Sequence, residues 1–233
     1  AHIAIFPEMV LTGYPVEDLA LRPSFQHASR AAIGVLAESL PAEMVSVVGY
    51  LDHDNGAPQN RVAVIHGGSI VATYTKCHLP NYGVFDEYRN FVAGNSTLMV
   101  RVKGVDVGIA ICEDLWIDGG ITSQLAARTP GLILVPNGSP FERNKDDVRL
   151  SLVQKRARES KAPLVYVNMT GGQDDLVFDG DSIAVDASGD VLTRLPQFED
   201  GMAIVDIACF IHTSKPDVVI SEGTENHSGA GNP

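Results

Sequence analysis

Cys112 has neighbours on both sides that suit covalent chemistry. An apolar run, Val105 to Ile111, precedes it, and Glu113-Asp114-Leu115-Trp116, a segment able to start a helix, follows it. At such a strand-to-helix elbow a sulfur stands at the sheet edge, the backbone N–H groups behind it face an oxyanion, and a helix N-terminus favours the thiolate. The competing reading is that Cys112, like most free cysteines, is a small buried hydrophobe. Cys77 and Cys209 lack the elbow. A thiol nucleophile needs a base, and none of the 7 histidines stands in a protease-like setting. His78, in His78-Leu79-Pro80, suits a loop fixed by side-chain hydrogen bonds. No two histidines lie a helical turn apart beside a carboxylate and no CxxC occurs, so no metal is expected.

A carboxylate with a lysine can replace the imidazole. A glutamate in a closed apolar site has its pKa raised toward neutrality and accepts a thiol proton, while a nearby ammonium steadies the charge that develops on a carbonyl oxygen. Glu8 follows the apolar run His2 to Phe6 and Pro7, and Lys76 follows Ile70 to Tyr74, so both stand where strands deliver side chains. Taken singly, a strand-end glutamate is more often solvated and a lysine there more often lies on the surface.

These positions need elements to hold them. His2 to Phe6 reads as a buried strand, Thr12-Gly13-Tyr14-Pro15 as a turn, and Pro23 to Leu40 as a helix stopped by Pro41. Met44 to Leu51 and Arg61 to His66 read as strands, with Gly67-Gly68 turning into Ile70 to Tyr74. Alternating Leu98, Val100 and Val102 lead through Lys103-Gly104 to the strand Val105 to Ile111, followed by a helix over Trp116 to Arg128. Leu132 to Val135 delivers Asn137, Gly138 and Ser139. A helix over Asp146 to Ser160 precedes the strand Leu164 to Val167, and strands Ser182 to Asp186 and Asp190 to Leu195 flank Ala187-Ser188-Gly189. Parallel-type buried runs mixed with hairpins predict sheets covered by helices, with ligands at the carboxyl ends of strands. Roughly the last 20 residues are polar, Gly-rich and unpatterned, which predicts a disordered or linker-like tail.

The 233 residues, 45% hydrophobic and 20% charged, suffice for one globular domain with a sizeable core. A net charge of −12 and a pI near 4.9 argue against nucleic-acid and anionic-membrane partners. The 3 cysteines, odd in number and unevenly spaced, make no disulfide framework and point to a reducing, cytoplasmic setting. No apolar stretch approaches the ~20 residues of a membrane span, and no signal-peptide pattern opens the chain.

Lys76-Cys77-His78-Leu79-Pro80, followed by Phe85-Asp86-Glu87, resembles the nitrilase superfamily, whose members carry Lys-x-His-Leu-Pro, then Phe-Asp-Glu, and use Glu, Lys and Cys in that chain order. Phe6-Pro7-Glu8 with Thr12 to Pro15, and Gly108 to Trp116 around Cys112-Glu113-Asp114, are similar to its other two motifs. Within it, Tyr14 to Leu19, Leu79 to Phe85, Cys112 to Trp116, Asn137 to Phe141, and Tyr166-Val167-Asn168 leading to Gly171 to Asp174 resemble the glutaminase domains of bacterial glutamine-dependent NAD synthetases.

That resemblance implies an α/β fold, a four-layer αββα sandwich of the nitrilase type, over residues 1–207, with 208–233 as tail or linker. It implies Glu8, Lys76 and Cys112 as catalytic residues cutting the side-chain amide of glutamine through a Cys thioester, and glutamine-binding roles for Tyr82, Ser139 and Lys145. Glutamine carries an α-carboxylate and an α-ammonium, so its pocket also wants a carboxylate such as Glu113. For Ser139 a turn or cap role competes, and for Lys145 that of a surface lysine opening a helix. Glu87 is a candidate auxiliary that orients Lys76 or the substrate, with a salt bridge to Arg89 or another loop cation as the alternative. The glutaminase step needs no cofactor; ATP and Mg belong to a synthetase module, whose Ser-Gly-Gly phosphate loop is not found here. The family places a strand and a helix ahead of Phe6-Pro7-Glu8, so either the sheet lacks an edge strand or the sequence is truncated there. The implied partners are glutamine, a NAD synthetase module in the same or another polypeptide, and further copies in a homo-oligomer. Rival readings are a free-standing amidase, nitrilase or carbamoylase on another small amide, and a binding or assembly module without turnover.

Overall fold

The computed structural model describes residues 1–143, 145–211 and 214–223, without the side chains of residues 145–147. Two sheets form the interior. The first is four-stranded, in the order β1 (Ile3–Ile5), β2 (Val45–Asp54), β3 (Ala57–His66), β4 (Ser69–Thr75). Strand alternation decides its packing: Val45, Val47, Val62 and Val64 join the core shared with the second sheet, while Val48, Tyr50, Ala63 and Ile65 pack on Ile33 and Ala37 of helix α1 (Pro23–Ser39).

The second sheet is seven-stranded. It is built from β5 (Leu98–Val102), β6 (Val105–Ile109), β7 (Leu132–Asn137) and β8 (Leu164–Asn168), and, after the separate hairpin β9 (Thr170–Gln173) and β10 (Leu176–Asp179), from β11 (Ile183–Val185), β12 (Val191–Arg194) and β13 (Val218–Val219). The order is β12-β11-β8-β7-β6-β5-β13. Leu125 of α3 (Ile121–Ala127) and Val153 and Ala157 of α4 (Lys145–Ser160) pack onto it; the short α2 is Glu87–Asn90. The layers are helix, sheet, sheet, helix, the expected αββα sandwich.

Strand direction explains why chemistry collects at one edge. β1 runs parallel to β2, β2 antiparallel to β3, and β3 antiparallel to β4, so β1 and β4 end on the same side and release Glu8 and Lys76 together. In the second sheet β6, β7 and β8 are mutually parallel, so the segments holding Cys112, Ser139 and Asn168 leave it side by side.

Two expectations are corrected. The helix expected over Trp116 to Arg128 is the shorter α3, because Asp118-Gly119-Gly120 breaks the run, and the segment after Ile111 makes only a 3-10 turn, Cys112–Leu115. Part of the supposed tail is packed: Val218 and Val219 pair in parallel with Val100 and Arg101, and the Asp217 carboxylate accepts from Met99 N–H and Arg128. An edge strand of 2 residues is too brief to show a period in sequence. The rest of that tail, 224–233, lies outside the described residues. Among the described residues, no helix is long and apolar enough to cross a membrane.

Candidate active site

Glu8, 1% exposed, has both oxygens occupied. Oε1 accepts from Lys76 Nζ at 2.8 Å and Asn60 Nδ2 at 2.7 Å, and Oε2 accepts the Gly138 N–H at 2.8 Å. The Lys76 N–H donates to the Asn60 carbonyl at 3.0 Å, so β3 fixes both members of the ion pair. Lys76 Nζ also reaches Glu87 Oε1 at 3.0 Å, and the Tyr14 hydroxyl donates to that same oxygen at 2.9 Å. Glu87 therefore faces Lys76. The alternative pairing with Arg89 does not form, since Arg89 turns to Asp86 at 3.1 Å and Glu17 at 3.5 Å.

Such buried charges are tolerable only when paired. Burial opposes the Lys76 ammonium, yet the carboxylates of Glu8 and Glu87 outweigh it and hold its pKa well above the ordinary lysine value. Burial raises Glu87 from 4.5 to about 7, with the Lys76 ammonium pulling it down and the Glu8 carboxylate pushing it up.

Cys112 is buried and adopts a φ of +44°, the left-handed region seldom occupied by side chains other than glycine, asparagine or aspartate. Burial and then the Glu8 carboxylate push the thiol well above its ordinary pKa; the Lys76 ammonium works against them, and Glu87 and Glu113 with them. The expected thiolate at a helix N-terminus is thus corrected. A single 3-10 turn follows the sulfur in place of a helix, and carboxylates crowd it. The thiol rests protonated at neutral pH, with the Glu8 carboxylate among the charges it feels.

Around this centre the other named residues fall in three ways. Glu113 accepts the Tyr82 hydroxyl at 2.8 Å, burial raising the Glu113 pKa, and Tyr82 stands edge-on to Phe85 with ring centroids 5.5 Å apart. Ser139 follows Gly138, the Glu8 donor; its N–H donates to Asn168 Oδ1 at 2.8 Å and its carbonyl accepts from Arg149 at 3.0 Å and Asn168 Nδ2 at 3.1 Å. Lys145 opens α4, and its side chain lies outside the described residues. His78 fixes its loop as expected, through Nδ1 against Asp114 Oδ1 at 2.9 Å.

Several site residues escaped the sequence reading. Asn60 sits mid-strand, where nothing marks it as a ligand of Glu8. Arg149 is fully buried in α4, donating from Nη1 to both Asp179 oxygens at 2.7 and 2.6 Å and from Nη2 to the Ser139 and Pro140 carbonyls, so it moulds the 138–140 loop. The available signal was the requirement that a polar strand-end loop find donors.

Residues 1–209 match the profile of the carbon-nitrogen hydrolase family. The glutamine-dependent NAD(+) synthetase of Xanthomonas campestris pv. campestris (strain 8004) is 41% identical over 228 residues, 97% of this chain and 41% of that protein. The structure resembles that of the glutamine-dependent NAD+ synthetase from Acinetobacter baumannii in complex with adenosine diphosphate, with a TM-score of 0.82, 37% identity, and coverage of 86% of this chain and 38% of that one. It shares its fold with an amidase from Nesterenkonia sp. AN1 (TM-score 0.73, 24% identity, 84% of this chain and 73% of that one). The chain spans well under half the length of the synthetases it matches.

Proposed function

The chain belongs to the carbon-nitrogen hydrolase family, and we propose that it hydrolyses the side-chain amide of glutamine and passes the ammonia to an ATP-dependent NAD synthetase module in the same or a partner polypeptide. The observation that carries this reading is the buried cluster of Glu8, Lys76 and Glu87 whose charges act on the Cys112 thiol. Because the thiol rests protonated, attack requires a proton acceptor. Glu8 takes the proton as the sulfur adds to the carboxamide carbon, and Lys76 with the Glu113 backbone N–H receives the developing oxyanion. Glu8 returns the proton to the leaving nitrogen, ammonia departs, and Glu8 then deprotonates the water that cleaves the γ-glutamyl thioester to glutamate. Glu87, bonded to the ammonium, is the auxiliary that holds Lys76 toward the substrate oxygen.

Tyr82, Glu113, Ser139 and Lys145 are read as the set that recognises the amino-acid end of glutamine. This step needs no cofactor; ATP and Mg belong to the synthetase module. Residues 1–207 are read as the glutaminase domain, with the Val218–Val219 strand of the following segment completing its second sheet, in a cytoplasmic homo-oligomer.

The purified chain, incubated with glutamine, ATP, magnesium and nicotinate adenine dinucleotide, should yield glutamate and ammonia without NAD. A diazo-ketone analogue of glutamine should add covalently to Cys112, read by intact mass. Turnover of other small amides with none of glutamine would overturn the substrate, and failure of Cys112 to acylate at all would leave the binding-module reading.

A further inference from the structure

Lys76 is delivered by the first sheet and Cys112 by the second. The two sheets meet largely through apolar side chains, whose attraction is not directional, so polar contacts between them add to the register that packing sets. At the Glu8 end such a contact is supplied by the Gly138 N–H, which leaves the second sheet to bind a carboxylate of the first.

At the Lys76 end it is supplied by Asp114, 0% exposed. Its Oδ1 accepts the N–H of Cys77 at 3.2 Å, the N–H of His78 at 2.9 Å, and lies 2.9 Å from His78 Nδ1. Its Oδ2 accepts the Tyr74 hydroxyl at 2.7 Å and the Ile111 N–H at 3.1 Å. The Asp114 N–H donates in turn to the Ile111 carbonyl at 3.0 Å, closing the turn around Cys112. Lys76 lies between Tyr74 and Cys77-His78, and Cys112 lies between Ile111 and Asp114. One carboxylate therefore grips the chain on both sides of the lysine and on both sides of the cysteine. Its hydrogen bond also raises the His78 pKa, which strengthens the grip by favouring the imidazolium.

We propose that Asp114 is a positioning residue that sets the separation of the Lys76 ammonium from the Cys112 sulfur, and so the alignment of the oxyanion contact with the attacking atom. The inference rests on the glutaminase reading for its substrate. Asp114 has its bonds to the backbone and side chains on either side, and it acts through Lys76 and Cys112.

The test is a double-mutant cycle of Asp114→Asn with Lys76→Ala. Asparagine keeps the shape and one acceptor but sets an NH2 group against donors that Asp114 satisfied. Displacement of a positioned group by even an ångström costs about 100-fold, so kcat for glutamine should fall by about that factor with KM within about 3-fold of wild type. Alkylation of Cys112 by chloroacetamide, read by intact mass, should slow about 10-fold or more. If Asp114 acts through Lys76, the double variant should match Lys76→Ala alone within about 3-fold. Multiplied losses, an unchanged kcat, or a change confined to KM overturns the proposal. Should Asp114→Asn fail to fold, Tyr74→Phe, which removes one donor, takes its place in the cycle. Its loss in kcat, about 3-fold, should vanish in the Lys76→Ala background; persistence there, or no loss at all, overturns it. A wild-type chain silent on glutamine would count against the proposed substrate alone, and the same cycle would then be decided on chloroacetamide alkylation.

Discussion

Glu8, Lys76 and Glu87 are each no more than 2% exposed and are held by donors from separate segments, Tyr14, Asn60 and Gly138. Tyr82, which reaches toward the same site, is 56% exposed and holds Glu113 by one hydroxyl contact. Two carboxylates and an ammonium out of water need partners; both Glu8 oxygens and Glu87 Oε1 have them, held from several segments at once, while Glu87 Oε2 is buried without one among the described residues. An exposed phenol loses little when its partner changes, so the rim is free to be tuned. The centre should therefore govern kcat and the rim KM, a division that substitutions can break.

The largest effect is expected at the sulfur. Cys112→Ala should bring ammonia release to background with little loss of fold, because it removes the nucleophile and leaves a small cavity; ammonia assays beside thermal melts check both halves. Lys76→Ala should lower kcat about 100-fold while KM for glutamine changes little, since its charge is needed most in the transition state. A change confined to KM would move Lys76 from the centre to the rim. Next comes a residue that never touches substrate. A Cβ on Gly49 of β2 would lie 2.4 Å from the Met9 nitrogen and 2.5 Å from the Pro7 carbonyl, on both sides of Glu8. Backbone cannot yield as a side chain does, so Gly49→Ala should cost about 10-fold in kcat and about 1–3 kcal/mol of stability, read by steady-state kinetics and denaturant titration.

That glycine shows where the sequence stopped being legible. Apolar runs ended by Pro7 and Glu113-Asp114 marked the strand ends, and motif resemblance singled out Glu8, Lys76 and Cys112 from the other acids, lysines and cysteines. Strand order was not readable, so nothing said that β1 and β4 end together or that Gly49 passes beneath Glu8. Asn60 lies just ahead of the strand expected from Arg61 and Arg149 in a stretch read only as helix, and neither was singled out, because a buried partner is recognised by what it meets across the fold. The elbow argument for a Cys112 thiolate fell short for the same reason, since a pKa answers to burial and to distant carboxylates and the elbow had neither; the expectation that a glutamate accepts the thiol proton did not depend on it. The packed part of the tail needed Arg101 and Arg128 as partners for Glu222 and Asp217, contacts about a hundred residues apart.

At the rim the expected change is smaller and of the other kind. Tyr82→Phe removes the hydroxyl bonded to Glu113 and keeps the ring that stands against Phe85. One hydrogen bond contributes about 1 kcal/mol net, so KM for glutamine should rise about 5-fold with kcat nearly constant. An equal fall in kcat would show that the rim aligns the reacting amide and would erase the division drawn above.

The smallest expected effect is a slope, and it tests whether the centre is under electrostatic strain. Burial raises the Glu87 carboxyl from 4.5 to about 7 in the folded chain. Between those values the folded state keeps a proton that the unfolded chain has released, so stability falls as pH rises. The contribution is fully present below 4.5 and lost as pH passes about 7. Glutamine at this position does not titrate. The wild-type thermal midpoint minus that of Glu87→Gln should thus be most positive at the acid end, decline through the window and level off above it. Any constant offset from the altered Lys76 and Tyr14 contacts shifts this difference curve without bending it. A curve flat from mildly acidic to neutral pH would mean that Glu87 ionises as freely in the fold as in the unfolded chain. The ammonium of Lys76 would then compensate its burial in full, and the centre would be as relaxed as the rim.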